Sequence, residues 1–188
     1  MASQGPNSGG TFANDPGSGV TWSTPSNAAS SNNSYALFAG APNFTQTTVY
    51  LKATNYGFSI PSGSTINGIE VIIERKAAIN TLVSYVKDNT VKLYKAGTIT
   101  GSDKADTSTK WPTSDTDKTY GSSSDLWGDS WTDSDINNSG FGVGIKVTTT
   151  GGGGGKDPNV TASIDWIRIT VYYTVSSGVT KTQTMIIG

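Results

Sequence analysis

The sequence predicts an all-β fold: an antiparallel β-sandwich with one short helical turn. Three observations carry that expectation. Residues 162–175, ASIDWIRITVYYTV, form the longest run of β-branched and aromatic residues, with Ile167, Ile169, Val171 and Tyr173 on one face and Arg168, Thr170 and Tyr172 on the other. A period of two marks a half-buried strand. Hydrophobic residues are 34% of the chain and charged residues 14%, with Gly, Ser, Thr and Asn abundant, as in sandwiches with long polar loops. Finally, turn chemistry such as Pro61-Ser62-Gly63-Ser64 separates the alternating runs.

In chain order, residues 1–19 carry Gly, Pro, Asn and Ser and read as an N-terminal arm, ordered only by lying on its own or a neighbour's surface. Short strands are expected at 20–22 and 34–38. Residues 47–53 alternate, Val49, Leu51 and Ala53 against Thr48, Tyr50 and Lys52. A strong strand follows at 66–78, with Ile69, Val71 and Ile73 inward and Glu70 and Glu74 outward. Asp88-Asn89 ends a loop, and 90–95 is a further strand with Val91 and Leu93 inward. The polar stretch 96–120 is long for a loop in a compact domain, so it holds a short strand or covers a sheet edge. Thr132-Asp133-Ser134-Asp135 offers an N-cap for a helical turn over 136–138, ended by Gly140. In 141–147, Phe141, Val143, Ile145 and Val147 are in phase, and Gly142 and Gly144 opposite admit a close approach to the backbone. Five glycines at 151–155 lead into the central strand, where Ile164 is out of phase with Ile167 and a bulge is expected at 165–166. The sandwich domain thus spans 20–175, and 176–188 is a C-terminal extension.

That extension alternates again. Val179, Lys181, Gln183, Met185 and Ile187 share one face, and Thr180, Thr182, Thr184 and Ile186 the other. A protruding strand of this kind can add to a sheet edge of another subunit and link protomers head to tail.

The composition narrows the chemistry. The 188 residues suffice for one domain with a real core. There is no cysteine and no histidine, so thiol chemistry, disulfides, histidine catalysis and the usual zinc sites are excluded. Net charge is −1 and the arginines are Arg75 and Arg168, which leaves no basic footprint for nucleic acid. No apolar run approaches a membrane span. MASQGPNSGG lacks a positive n-region and apolar core, so no conventional signal peptide is expected; an extracellular or virion surface location then implies release from a cell or a leader outside this chain.

Candidate sites are few. Asp125, Asp129, Asp133 and Asp135 are a cluster of the type calcium takes, at a spacing unlike an EF-hand; the competing reading is caps and turn formers. Trp111, Trp127 and Trp131, with Trp22, Trp166, Tyr35, Tyr50, Tyr94 and Tyr120, are candidates for stacking on sugar rings, Trp111 being expected as the most exposed; the competing reading is core. Glu70 and Glu74 are the only glutamates and read as a solvated strand face paired with Lys or Arg75, so no enzyme is expected and no catalytic residue or required cofactor is assigned.

Four phrases, SQGPNSGGTFANDPGSGVTWSTPSNAASSNNSYA, YLKATNYGFSIPSGSTINGIEVIIERKA, TYGSSSDLWGDSWTDSDINNSGFGVGIKV and ASIDWIRITVYYTV, resemble a β-sandwich module of predicted phage virion proteins (fibre, tail or capsid-surface proteins) and of environmental bacterial sequences. The resemblance covers residues 3–175. It implies a jelly-roll-like sandwich in an extracellular or virion assembly and transfers no functional residues. Together these readings predict a structural subunit that self-assembles into a fibre or surface array through its terminal strand. The alternative is a carbohydrate- or receptor-binding module, with glycans rather than a second copy as the partner.

Overall fold

Alternation this regular in strands this long has one outcome: each strand buries one face, and two sheets close on each other. The computed structural model describes residues 1–152 and 160–176. Its strands are β1 (Ala2–Ser8), β2 (Thr11–Asn14), β3 (Ala36–Gly40), β4 (Thr45–Thr47), β5 (Leu51–Thr54), β6 (Thr65–Ala77), β7 (Tyr85–Lys95), β8 (Thr98–Thr100), β9 (Thr116–Gly121), β10 (Gly142–Thr150) and β11 (Val160–Thr174). A 3-10 turn spans Pro25–Ala28, and one helix, α1, spans Asp133–Asn137.

The first sheet has five strands in the order β1-β11-β6-β9, with β3 on β11; the second has six, in the order β2-β5-β10-β7-β8, with β4 on β10. All ladders between named strands are antiparallel. From β3 onward the chain passes back and forth between the sheets, giving the order 3-11-6-9 facing 5-10-7-8. That is the jelly-roll arrangement, with β1 and β2 added at its margins.

Residues 2–14, expected as an arm, lie on the chain's own surface as strands of both sheets. Ala2 faces Tyr173 and Ser8 faces Arg168, with a register break between Gln4 and Asn7; Thr11–Asn14 pairs along β5. The strand expected at 47–53 is broken instead into β4 and β5. The reason is Val20, whose backbone bonds Thr47 and Val49 and forms a bridge to Thr48, while Thr48 Oγ1 accepts from the Val147 amide at 3.0 Å. The strand β7 begins earlier than the sequence suggests. Asp88 and Thr90 both find partners on β10, and Asn89 is the extra residue of a bulge. The bulge expected in β11 is present, since the register jumps from Ile164 to Trp166. The stretch 96–120 holds β8 and β9.

The core is built from the expected faces. Ile69, Val71 and Ile73 of β6 meet Ile167, Ile169 and Val171 of β11, and Val91, Leu93, Val143 and Ile145 line the opposing sheet, all fully buried. What approaches Gly144 is the Tyr50–Tyr94 pair: a Cβ there would lie 2.8 Å from the Tyr94 ring and 3.0 Å from the Tyr50 ring.

Arg75 departs from its expected place. It is in phase with Ile69, Val71 and Ile73 and points between the sheets, 3% exposed. There its Nη1 donates to Asp88 Oδ1 of β7 and, at 2.6 Å, to the Tyr120 hydroxyl. Asp88 also accepts from Trp111 Nε1 at 2.7 Å, Tyr120 Oη at 2.9 Å and the Asp106 amide at 3.0 Å. Burial, and then the neighbouring Asp88 charge, push the Tyr120 phenol well above its usual range, so it stays a neutral donor.

Candidate functional site

The tryptophans expected to meet a ligand are core residues. Trp111 and Trp127 are fully buried and Trp131 nearly so. Each indole N–H has an internal acceptor: Asp88 for Trp111, the Ile69 carbonyl at 2.9 Å for Trp127, and the Leu126 carbonyl at 3.0 Å for Trp131. An aromatic of this size contributes most by burial once its polar atom is satisfied, and here β7, β6 and one loop carbonyl supply the acceptors. Trp22 is likewise buried, edge-on to Phe38, with its N–H on the Val49 carbonyl.

The acidic cluster is dispersed over local tasks. Asp125 pairs with Lys104 at 2.8 Å and accepts the Trp127 amide at 2.7 Å; Asp129 accepts Thr100 Oγ1 and the Ser130 amide; Asp133 accepts the Gly63 amide. Asp135 closes a capping box with Thr132 and pairs with Lys95 at 3.1 Å, so α1 has the N-cap the sequence offers. Burial works against the charged form of Asp125 and Asp135, yet their hydrogen bonds hold both carboxyls below the usual range; at Asp129 the Thr100 hydroxyl does so. Among the described residues no group of three or more His, Cys, Asp or Glu side chains can hold a metal ion. The strand expected from Val179 to Ile187 lies outside the described residues. No helix among those described is long and apolar enough to cross a membrane.

The remaining candidate features gather on the outer face of the first sheet. Because the inward residues of β6 and β11 are apolar apart from Arg75, the alternate set faces out: Glu70, Ile72, Glu74 and Lys76, and Trp166, Arg168 and Thr170. Register places Trp166, Glu74 and Asp117 side by side across β11, β6 and β9. Beside them the Arg168 guanidinium lies 4.2 Å from the Trp166 ring centroid and donates to Asp117. Loop residue Ser31 and Asp115 complete a groove of about 380 Å³ lined by Ser31, Glu74, Asp115, Asp117, Trp166 and Arg168. Two of its carboxylates are neutralised, Asp117 by Arg168 and Asp115 by Lys76 at 2.9 Å. Lys76 also donates to the Tyr35 hydroxyl at 2.6 Å, and that bond, backed by Asp115, holds its ammonium above the usual range against the effect of burial.

Three polar atoms in and under the groove have no hydrogen-bond partner among the described residues: Trp166 Nε1, Asp115 Oδ1 and Asp165 Oδ1. Glu74 forms no ion pair there either, although it sits directly opposite Asp117. Like charges opposite each other destabilise a sheet, so stability alone does not account for the pair. Of these groove residues the sequence pointed to Trp166, as one tryptophan among five. Glu74 and Arg168 were legible as outward residues of two long strands. Asp115 and Asp117 were hidden in a polar stretch whose strand, β9, has little apolar signal.

No protein-family model matches this chain, and no curated protein or solved structure shows significant similarity to it.

Proposed function

We propose that the chain is a non-catalytic recognition module, displayed on an extracellular or virion surface, that binds carbohydrate in the groove of Trp166, Glu74, Asp117 and Arg168. The observation that supports this reading is the position of Trp166, the one tryptophan that reaches the surface, next to carboxylates and a guanidinium. A sugar ring has an apolar C–H face that packs on an aromatic ring and hydroxyls that both donate and accept. Carboxylates accept from adjacent hydroxyls, and a guanidinium donates to them in a fixed fork. The groove volume of about 380 Å³ suits one or two sugar rings, within the usual range for small-ligand sites. A glycan array followed by calorimetry tests the reading. Binding should be present in the wild type and lost in Trp166→Ala and Glu74→Gln. An array with no bound glycan, or unchanged affinity in Trp166→Ala, overturns it.

A second reading, a self-assembling structural subunit, is favoured by the margin of the first sheet. At its other margin β1 carries Pro6 and a register break, devices that blunt an edge; β9 runs Thr116–Gly121 with neither. The terminal segment 179–187 would add to β9 of a second copy. Electron microscopy of the full chain beside a version truncated after Val175 decides it. Filaments or arrays that vanish on truncation support it, and monodisperse particles from both remove it.

A further inference from the structure

A second cavity, of about 430 Å³, adjoins the groove and shares Asp117 with it. It opens at the margin between the sheets under β9, and its polar lining includes Arg75, Asn80, Thr109, Lys110, Thr116 and Lys118. Arg75 reaches it from the core. Its Nη1 is committed to Asp88 and Tyr120, and its guanidinium lies 4.7 Å over the Trp111 ring. Among the described residues Nε and Nη2 make no hydrogen bond, and Arg75 is part of the cavity lining. Lys118 is paired with Asp106 at 2.8 Å. Lys110 is held by the Thr81 and Leu82 carbonyl oxygens at 2.5 and 3.2 Å and has no ion pair among the described residues. Asp88 and Asp106 balance Arg75 and Lys118, and Asp117 balances Arg168, which leaves Lys110 without a carboxylate partner among the described residues; beyond the two carbonyl oxygens its ammonium meets the Tyr85 ring, 4.3 Å from its centroid.

We propose that this cavity is an anion subsite, which takes the carboxylate of an acidic sugar while the neighbouring sugar lies against Trp166. The inference rests on the carbohydrate reading above and narrows it to acidic polysaccharide. The chemistry follows from the parts. A guanidinium fixed by stacking and by a buried carboxylate is preorganised, and its open edge accepts a carboxylate through parallel N–H···O bonds. Lys110 supplies the balancing charge. Asp117 lines both sites, so a ligand that fills both is a chain and not a single sugar.

The test uses the full chain with oligogalacturonate and its methyl ester, the same sugars with and without the charge. The wild type should bind the acid form about tenfold more tightly than the ester, a gap of about 1.4 kcal/mol. Lys110→Gln should shrink that preference towards unity and leave ester binding unchanged, whereas Trp166→Ala should weaken both. Equal affinity for acid and ester in the wild type, or a preference that survives Lys110→Gln, overturns the subsite and leaves the carbohydrate reading standing. If neither oligosaccharide binds, free galacturonate and inorganic sulfate are titrated by NMR. Shifts confined to Arg75, Lys110 and Lys118 then retain the anion site without the glycan, with sulfate alone marking a site for free anions; no shifts with either overturn it.

Discussion

Asp88→Ala should be among the most destabilising single substitutions in the molecule. Asp88 is 2% exposed and joins the two sheets through one carboxylate. Removing it strips the partner from Arg75, Trp111 Nε1, Tyr120 Oη and the Asp106 amide together. An uncompensated buried charge costs about 3–5 kcal/mol, and each orphaned neutral donor about 1–3 kcal/mol. These do not add, because the cavity beside Arg75 lets water reach part of the guanidinium. The expected loss is about 4–5 kcal/mol, a large part of the ~5–15 kcal/mol of a typical domain. Urea denaturation at neutral pH measures it as a fall in midpoint at constant slope. The reasoning makes a second, opposite demand. Arg75→Met with Asp88→Leu removes both charges, so no desolvated ion remains; the Trp111, Tyr120 and Asp106 donors are still orphaned, and the double variant should fall below wild type but recover part of the Asp88→Ala loss. Two results would refute this: an Asp88→Ala loss below about 1 kcal/mol, the range of an ordinary surface change, or a double variant no more stable than the single one. The first would mean that the network is open to solvent. The second would mean that packing volume, not charge pairing, governs this position.

Thr132→Ala removes the capping box of α1 and should cost about 0.5–2 kcal/mol, read by thermal unfolding. Glu74→Gln removes the like-charge pair with Asp117 and should raise stability by about 0.2–1 kcal/mol while abolishing glycan binding; a stability loss would place Glu74 among the structural residues. Acid should weaken the fold in a defined window. Asp106, held low by Lys118, and Asp125, Asp129 and Asp135 all have carboxyls depressed in the folded state. Their contribution is therefore full above the unfolded carboxylate value of about 4 and is lost as pH falls through the lower folded values. Denaturation midpoints should be flat from pH 5 to 7 in this respect and fall below about 4; a midpoint that rises on acidification contradicts the assignment.

The strands of this fold were legible where one face is dominated by apolar residues. The strand β6 and the strand β11 announce themselves by alternation, and even the β11 bulge follows from the phase slip between Ile164 and Ile167. Arg75 shows why such reading stops. Its position in the period marks it as inward, but a charge is assigned to solvent unless its partner is known, and Asp88 is on the facing sheet. The strand β1 had no apolar face at all. Its seven residues, ASQGPNS, join the first sheet through backbone pairing with β11, a contribution that no hydrophobic pattern records.

The groove was less legible for a related reason. In a chain with so little apolar area per residue, large aromatics are needed inside, so tryptophans placed in polar loops mark where loops fold over the core. Trp111 beside Pro112 and Trp127, two residues after Asp125, are of this kind: each loop delivers an indole inward, and a strand, β7 through Asp88 or β6 through the Ile69 carbonyl, satisfies it. Trp166 obeys the opposite rule. It is set in the most apolar strand of the chain, but the bulge at Asp165 fixes its phase outward, into register with Glu74 and Asp117. A tryptophan on the solvent face of a central strand gives up burial that the core would have rewarded, and it does so opposite a like-charged pair. Two local costs on one rung of the sheet are what a binding surface requires and what a purely structural sheet would avoid. If Trp166→Ala proves neutral or stabilising in urea while it removes binding, both costs are assigned to recognition; if it destabilises like a core residue, the groove is packing and the carbohydrate reading loses its support.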